Sequence, residues 1–214
     1  MNNIHVEKIQ EKEFEQVALI LANAFETNAA YSLIFNHTNK LREGLLWLFK
    51  TNLYLLNRRQ TVTNVIKESN SNSIIGTFSL VPPEGEKNSL SDYLPIGLPG
   101  FILKFGIKSL FKMLKMRDMN KSVLEKSIQA KAYYYLSMVV IKEEYRGKGI
   151  GSFAVKKQLN ELSETDKNRR IVGLTTQLPE NVMFYSRLGF KNIGEGYIIF
   201  KENKYYNWNM KFVF

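Results

Sequence analysis

Val139-Val140-Ile141-Lys142-Glu143-Glu144-Tyr145-Arg146-Gly147-Lys148-Gly149-Ile150-Gly151-Ser152 runs from an apolar, β-branched segment through a charged turn into three glycines at alternate positions. Val139 to Ile141 end the nearly continuous apolar and aromatic run Tyr133–Ile141, which predicts a central strand buried on both faces. The residues from Gly149 to Glu164 carry a helical pattern. A strand that feeds a helix through a glycine-rich turn leaves backbone N–H groups unpaired at the helix start, and the helix dipole favours an anion there. Glycines let a phosphate come close to the backbone. Arg146 and Lys148 add positive charge at the same point. Residues 146–152 therefore read as a phosphate cradle, with a plain glycine-rich helix start as the alternative. The loop is not a Walker A motif, because its lysine precedes the final glycines. It is not a dinucleotide fingerprint either, because Gly147, Gly149 and Gly151 have the wrong spacing and come late in the chain.

Upstream of this stretch, Ile4–Ile9 predicts a short strand. Glu11–Glu26 predicts a helix with Phe14, Val17, Ala18, Leu21 and Phe25 on one face. Thr38–Leu56 predicts a second helix, capped by Thr38. Thr61–Lys67 and Ser73–Val81 read as strands joined by the turn-forming Ser69-Asn70-Ser71-Asn72. Residues 84–131 read as a helical insertion, with helices over Gly100–Met116 and Asn120–Lys131. In the first, Lys104, Lys108 and Lys112 share a face. A solvated face is its ordinary reading; a membrane surface, another protein or an acceptor molecule are the other contacts it suits. Leu103, Ile107, Leu110 and Leu114 are expected to pack inward on the opposite side. Downstream come a strand at Ile171–Thr176, a helix at Asn181–Leu188 and a final hairpin, Phe190–Phe200 with Tyr205–Phe214, turning at Glu202-Asn203-Lys204. The order predicts a mixed α/β sheet with helices on both faces, in a single domain over residues 1–214.

Composition narrows the chemistry. The 214 residues contain no cysteine, which excludes disulfides, thiolate metal sites and a cysteine nucleophile. The imidazoles are His5 and His37 alone, with no paired metal-binding spacing, so no metal is expected. No Gly-x-Ser-x-Gly elbow occurs. Thirty Lys+Arg against twenty Asp+Glu give a net charge of +10, which favours anionic partners. No stretch of about 18 apolar residues is present and Met1 to Glu13 is polar, so a cytoplasmic protein without a membrane span or signal peptide is expected.

Arg146-x-x-Gly149-x-Gly151 resembles the acyl-CoA loop of the GNAT family of N-acetyltransferases. A second motif, Asn181-Val182-Met183-Phe184-Tyr185-Ser186-Arg187-Leu188-Gly189-Phe190, looks like that family's late helix, and the two stand in the family's order and separation. The detailed resemblance covers Tyr133–Phe214, with Ile75-Gly76 as a weak echo upstream. The insertion resembles that of puromycin-acetyltransferase-like members at low specificity. Many relatives carry proline two residues after the central strand, where this chain has Glu143. The resemblance implies a GNAT-like fold with a helical insertion between the third and fourth strands, and acetyl transfer from acetyl-CoA to an unidentified amine.

In that reading Val139, Val140 and Ile141 pair their backbone with the pantetheine arm, and one N–H serves as an oxyanion donor. Arg146, Gly147, Lys148, Gly149, Ile150, Gly151 and Ser152 hold the pyrophosphate. Tyr185 protonates the leaving thiolate, or else packs on its helix. Asn181 bonds the cofactor or the neighbouring strand, or else caps its helix. Glu26 is a positional candidate for the base that deprotonates the amine, its plain reading being a solvated helix terminus. Without cysteine, transfer is direct, in a ternary complex. A basic nucleic-acid-binding protein and a non-catalytic acyl-CoA sensor are the competing readings. No nucleic-acid-binding signature is present, so nucleic acid is not an expected partner. The acceptor's identity and the oligomeric state are not written in any motif.

Overall fold

The computed structural model describes residues 3–35, 39–58, 62–83, 89–130 and 132–214. Strands β1 (Ile4–Lys8), β2 (Val62–Glu68), β3 (Ile74–Val81) and β4 (Tyr134–Ile141) pair antiparallel in sequence order. Strands β5 (Ile171–Thr176), β6 (Lys191–Phe200) and β7 (Asn203–Val213) form a second antiparallel set. The parallel pair β4–β5 joins the two into one mixed sheet, ordered β1-β2-β3-β4-β5-β7-β6. Helices α1 (Phe14–Phe25), α2 (Ala29–Phe35), α3 (Leu41–Arg58) and α4 (Leu98–Ile128) cover one face, around Leu21, Phe35, Phe49, Leu53 and Phe101. Helices α5 (Ile150–Thr165) and α6 (Pro179–Arg187) cover the other, around Phe78, Ala154, Val155, Leu174 and Met210. This is the expected α/β class, with its helical insertion between β3 and β4. Each fully buried aromatic or aliphatic side chain of this kind contributes about 1.5–3 kcal/mol.

Several expectations need correction. The first helix opens with a 3-10 turn at Glu11–Glu13, where the Gln10 N–H donates to Glu13 Oε2 at 2.8 Å. Helix α2 was not anticipated. Its start is set by Asn28, whose Oδ1 accepts from the Ala30 N–H at 3.0 Å. Helix α3 begins at Leu41; the cap expected at Thr38 lies outside the described residues, as does His37. The final hairpin turns at Lys201-Glu202, inside the Phe200–Asn203 pair, one residue earlier than expected. Lys201 takes φ 53° there.

The insertion departs furthest. Two helices were expected, separated near residues 117–119. The chain instead runs through these residues, which include good helix formers, and breaks at Gly106, whose φ of 79° and ψ of 155° suit glycine. The break resets the helical phase. The inner row is Leu98, Phe101 and Phe105 before it and Leu110, Met113 and Met116 after it. Leu103 and Ile107, expected inside, are 90% and 46% exposed. The lysine face is also less uniform than its spacing suggests, since Lys104 pairs with Glu43 and Lys112 donates to the Leu33 carbonyl at 3.1 Å.

Candidate functional site

Strand β4 is not buried on both faces as its composition predicted. Leu136 and Val140 are buried, and the rest are partly open. The cause lies in the backbone. β4 pairs with β5 only at Tyr134–Val172 and Tyr135–Gly173, after which the two strands diverge. On the other side, the β3 register slips between Thr77–Val140 and Ser79–Ser137, so three steps on β4 face two on β3. The extra residue is a β-bulge, and Met138 within it adopts φ 52°. The result is a wedge-shaped cleft of about 1,070 Å³ between the strand ends.

Alternation along β4 decides which of its backbone groups face that cleft. The Lys142 N–H donates to the Ile75 carbonyl at 2.8 Å, toward β3. The Val140 carbonyl points the same way, lying 2.7 Å from where a Cβ on Gly76 would sit. Val139 and Ile141 alternate with them and so turn their backbone to the open side. Of the three residues expected to pair with a pantetheine arm, Val140 is therefore committed to β3, and Val139 and Ile141 remain. The Ile141 carbonyl accepts from Arg146 Nε at 3.0 Å, which ties the following loop to the strand end.

That loop enters α5 through Gly147 (φ 75°) and Gly149 (φ 73°), the latter at the N-cap. The first intrahelical bond joins the Phe153 N–H to the Gly149 carbonyl at 3.0 Å. The N–H groups of Gly149, Ile150, Gly151 and Ser152 thus precede the ladder. Gly151 lets the helix start approach β4 and α6 closely: a Cβ there would meet Ile141 at 3.3 Å and Phe184 at 3.5 Å. Arg146, Gly147, Gly149, Ile150, Gly151 and Ser152 all line the cleft. Lys148 is set over the Tyr145 ring, 5.1 Å from its centroid.

Tyr185 lines the same cleft from α6, 8% exposed and packed edge-on against Phe184 and Phe190. Burial pushes its phenol above the usual 10, and the nearby Tyr135 phenol adds to the rise. Among the described residues no protein group hydrogen-bonds the Tyr185 hydroxyl, an uncommon state for a buried phenol. Asn181 is not the helix cap, which is Leu178. Its Nδ2 donates to Thr176 Oγ1 at 3.1 Å, tying α6 to β5. Glu26 sits exposed at the end of α1, outside the cleft lining.

Residues 109–210 match the sequence model of the acetyltransferase (GNAT) domain. The chain carries a GNAT acetyltransferase domain. Solved structures share its fold over nearly its whole length. One, from Corynebacterium glutamicum and described as histone acetyltransferase HPA2 and related acetyltransferase, is 16% identical with a TM-score of 0.64, covering 98% of this chain and 95% of that one. Arylalkylamine N-acetyltransferase 7 of the yellow fever mosquito is 12% identical with a TM-score of 0.63, over 98% and 87%. The yncA protein of Salmonella typhimurium, solved with its cofactor acetyl-CoA, is 11% identical with a TM-score of 0.57, over 99% and 94%. At such identities it is the fold that is shared. Among curated proteins no sequence matches.

Asn28 and Gln177, which line the cleft, begin a polar chain that no sequence motif announced. The Asn28 amide donates to Gln177 (3.1 Å), Gln177 to Asn207 (2.7 Å), Asn207 to Asn209 (3.0 Å) and Asn209 to Ser127 (3.4 Å). This chain runs from the start of α2, beneath β5 and β7, to α4. Asn207 and Asn209 are each 1% exposed, and their partners are what make that burial affordable. Tyr31 and Tyr135 line the cleft beside it, and the Tyr135 hydroxyl meets Thr175 Oγ1 at 3.0 Å. Alternating asparagines at 207 and 209 on one strand face were the only available signal, and without knowledge of what β7 packs against it is mute.

Proposed function

We propose that this protein is an N-acetyltransferase that moves an acetyl group from acetyl-CoA to an amine by direct attack. The observation that carries this reading is the continuity of the cleft. It joins the unpaired amides at the start of α5, the backbone of Val139 and Ile141, and the Tyr185 hydroxyl. Acetyl-CoA, when bound, supplies a thioester activated toward amines. Gly149, Ile150, Gly151 and Ser152 hold its pyrophosphate through backbone N–H groups and the helix dipole, with Arg146 and Lys148 supplying positive charge and Gly147 the turn. Val139 and Ile141 align the pantetheine arm as an added strand would, and one of their N–H groups faces the developing oxyanion. Tyr185 gives its proton to the departing sulfur. Its raised pKa keeps that proton in place throughout the neutral range, and the same burial disfavours a free thiolate. Asn181 positions α6 through Thr176. The amine loses its proton through solvent in this reading.

The whole chain works as one domain in this proposal, in the cytoplasm, with the 109–210 match supplying the cofactor side and the first three helices the acceptor side. Its test is a thermal melt with and without acetyl-CoA, using adenosine as the control. Ligand at 100 times Kd stabilises by about 2.7 kcal/mol, which at about 2–4 °C per kcal/mol gives a shift on the order of 5–11 °C. A saturable shift with acetyl-CoA alone is expected, and its absence at millimolar cofactor refutes the reading. Amine-dependent release of CoA then separates an enzyme from a sensor.

A further inference from the structure

The outer face of the insertion is apolar where a solvated helix is polar. Leu103, Ile107 and Phe111 recur every four residues and are 90%, 46% and 65% exposed. Leu90 and Leu94, on the 3-10 turn just before α4, are 53% and 57% exposed. Both segments of α4 bury their inner rows in the same core cluster and leave Leu103, Ile107 and Phe111 on the outside. Exposed leucines and a phenylalanine gathered on one element, while the same helix buries nine other residues, are the pattern of a contact surface and not of scattered exposure.

The charges interleaved in sequence with Leu103, Ile107 and Phe111 are of one sign. Lys104, Lys108, Lys112 and Lys115 lie between or beside the apolar positions. Burial, then Lys201 from the β6–β7 turn and Lys108, lower the Lys112 pKa. Three acids among the described residues border the row: Glu43 is paired with Lys104, Asp92 stands between Leu90 and Leu94 and caps its own turn at Ser89, and Asp118 lies in the groove that Phe111 and Lys115 line. Like charges held this close cost stability, a cost that an anionic partner would remove. Nucleic acid would answer the charge and leave the leucines in water. A second copy of this chain would cover the leucines and bring lysines against lysines. An anionic bilayer satisfies both halves, with apolar side chains at the acyl boundary and ammonium groups among the headgroups.

We infer that the Leu90–Lys115 segment docks this protein on the surface of an anionic membrane, with Leu103, Ile107 and Phe111 inserted and the lysines on lipid phosphates. No single helix of the described residues is long and apolar enough to span a bilayer, and α4 buries nine of its residues within the protein, so the inferred attachment is peripheral. The inner side of this segment lines the cleft through Tyr93, Met113 and Leu114, whereas Leu103, Ile107 and Phe111 lie outside the cleft lining.

Co-sedimentation of the full chain with vesicles tests it. Phosphatidylcholine vesicles containing about 30 mol % phosphatidylserine should bind at least about ten times more tightly than phosphatidylcholine alone, and salt should weaken the binding. The triple variant L103S/I107S/F111S changes exposed side chains only. It should lose at least about tenfold in vesicle affinity while its melt and its acetyl-CoA shift stay as in wild type. Absence of wild-type binding overturns the inference. So does unchanged binding by the triple variant, which would make the surface a charge-only site that duplex DNA should then occupy equally well. A dimer in light scattering that the triple variant dissolves would assign the row to a second copy instead, and overturns it too.

Discussion

Under the proposed function, the two arms of the cleft recognise their ligands by different means. The cofactor arm is built from backbone: amides at the start of α5, the open edge of β4, and glycines at 147, 149 and 151 that let a ligand reach them. The acceptor arm, between α1, α2, α3 and α4, is built from side chains such as Phe25, Tyr31, Tyr93 and Met113. Backbone recognition constrains the sequence to a few residue types at fixed spacing. Side-chain recognition can be met by many sequences. The first arm therefore leaves a motif, and the second leaves only a hydrophobic pattern that any core would share.

The largest expected effect attacks the backbone arm. Gly149→Asp places a carboxylate at the N-cap of α5, where the φ of 73° also suits glycine. At about 4 Å and an effective dielectric of about 20, each like-charge pair costs about 4 kcal/mol, nearly a thousandfold in affinity. The acetyl-CoA melting shift should vanish while the fold persists. A retained shift would mean the anion is held elsewhere.

Tyr185→Phe stands next. Loss of a general acid should lower kcat by about 10²-fold or more, with the acetyl-CoA shift almost unchanged, because in the proposed mechanism the phenol bonds only the leaving sulfur. Equal turnover would remove Tyr185 from the chemistry and leave it as packing. The pH profile sharpens the same point. Burial raises this phenol's pKa, so the protonated, competent form persists below the raised value and is lost only as pH climbs through it. The alkaline limb of kcat should therefore fall above pH 10, the ordinary phenol value. A limb near 8 would assign the acid to another group.

Gly76→Ala probes the strand that backs the cofactor arm. A Cβ there would lie 2.6 Å from Ile141 Cδ1 and 2.7 Å from the Val140 carbonyl. Overpacking of this kind costs about 1–3 kcal/mol, or on the order of 2–12 °C in Tm. Acetyl-CoA affinity should fall with it, since Ile141 borders the cleft. The smallest effect is expected from Asn181→Ala. It removes the 3.1 Å bond to Thr176, costing about 1 kcal/mol. A modest loss in kcat with little change in Tm would show that α6 is positioned through this bond.

The same division explains what could be read in advance. The strand–glycine–helix order at 139–165, the α6 motif and the mixed sheet were legible because each rests on local spacing. The opening of β4 was not, since Tyr133–Ile141 has the composition of a fully buried strand and only the divergence from β5 exposes it. Gly106 was visible as an awkward helix residue, but not as the point where the phase resets and Leu103 turns outward. Val140 was grouped with its neighbours because a sequence does not show which way a strand's carbonyls point.

The amides under the cleft have one property beyond their distances. From Asn28 through Gln177, Asn207 and Asn209 to Ser127, and on to the Val123 carbonyl, every group donates in the same sense. Such a chain has polarity, and polarity is indivisible. Rotating one amide by half a turn sets two oxygens or two hydrogens face to face, unless every later member rotates with it. The wall at the start of α2 and the wall at α4 are thereby registered to each other by an orientation carried through the interior. A substitution such as Asn207→Asp, which cannot donate when ionised, would reverse the far half of the chain without moving an atom of backbone.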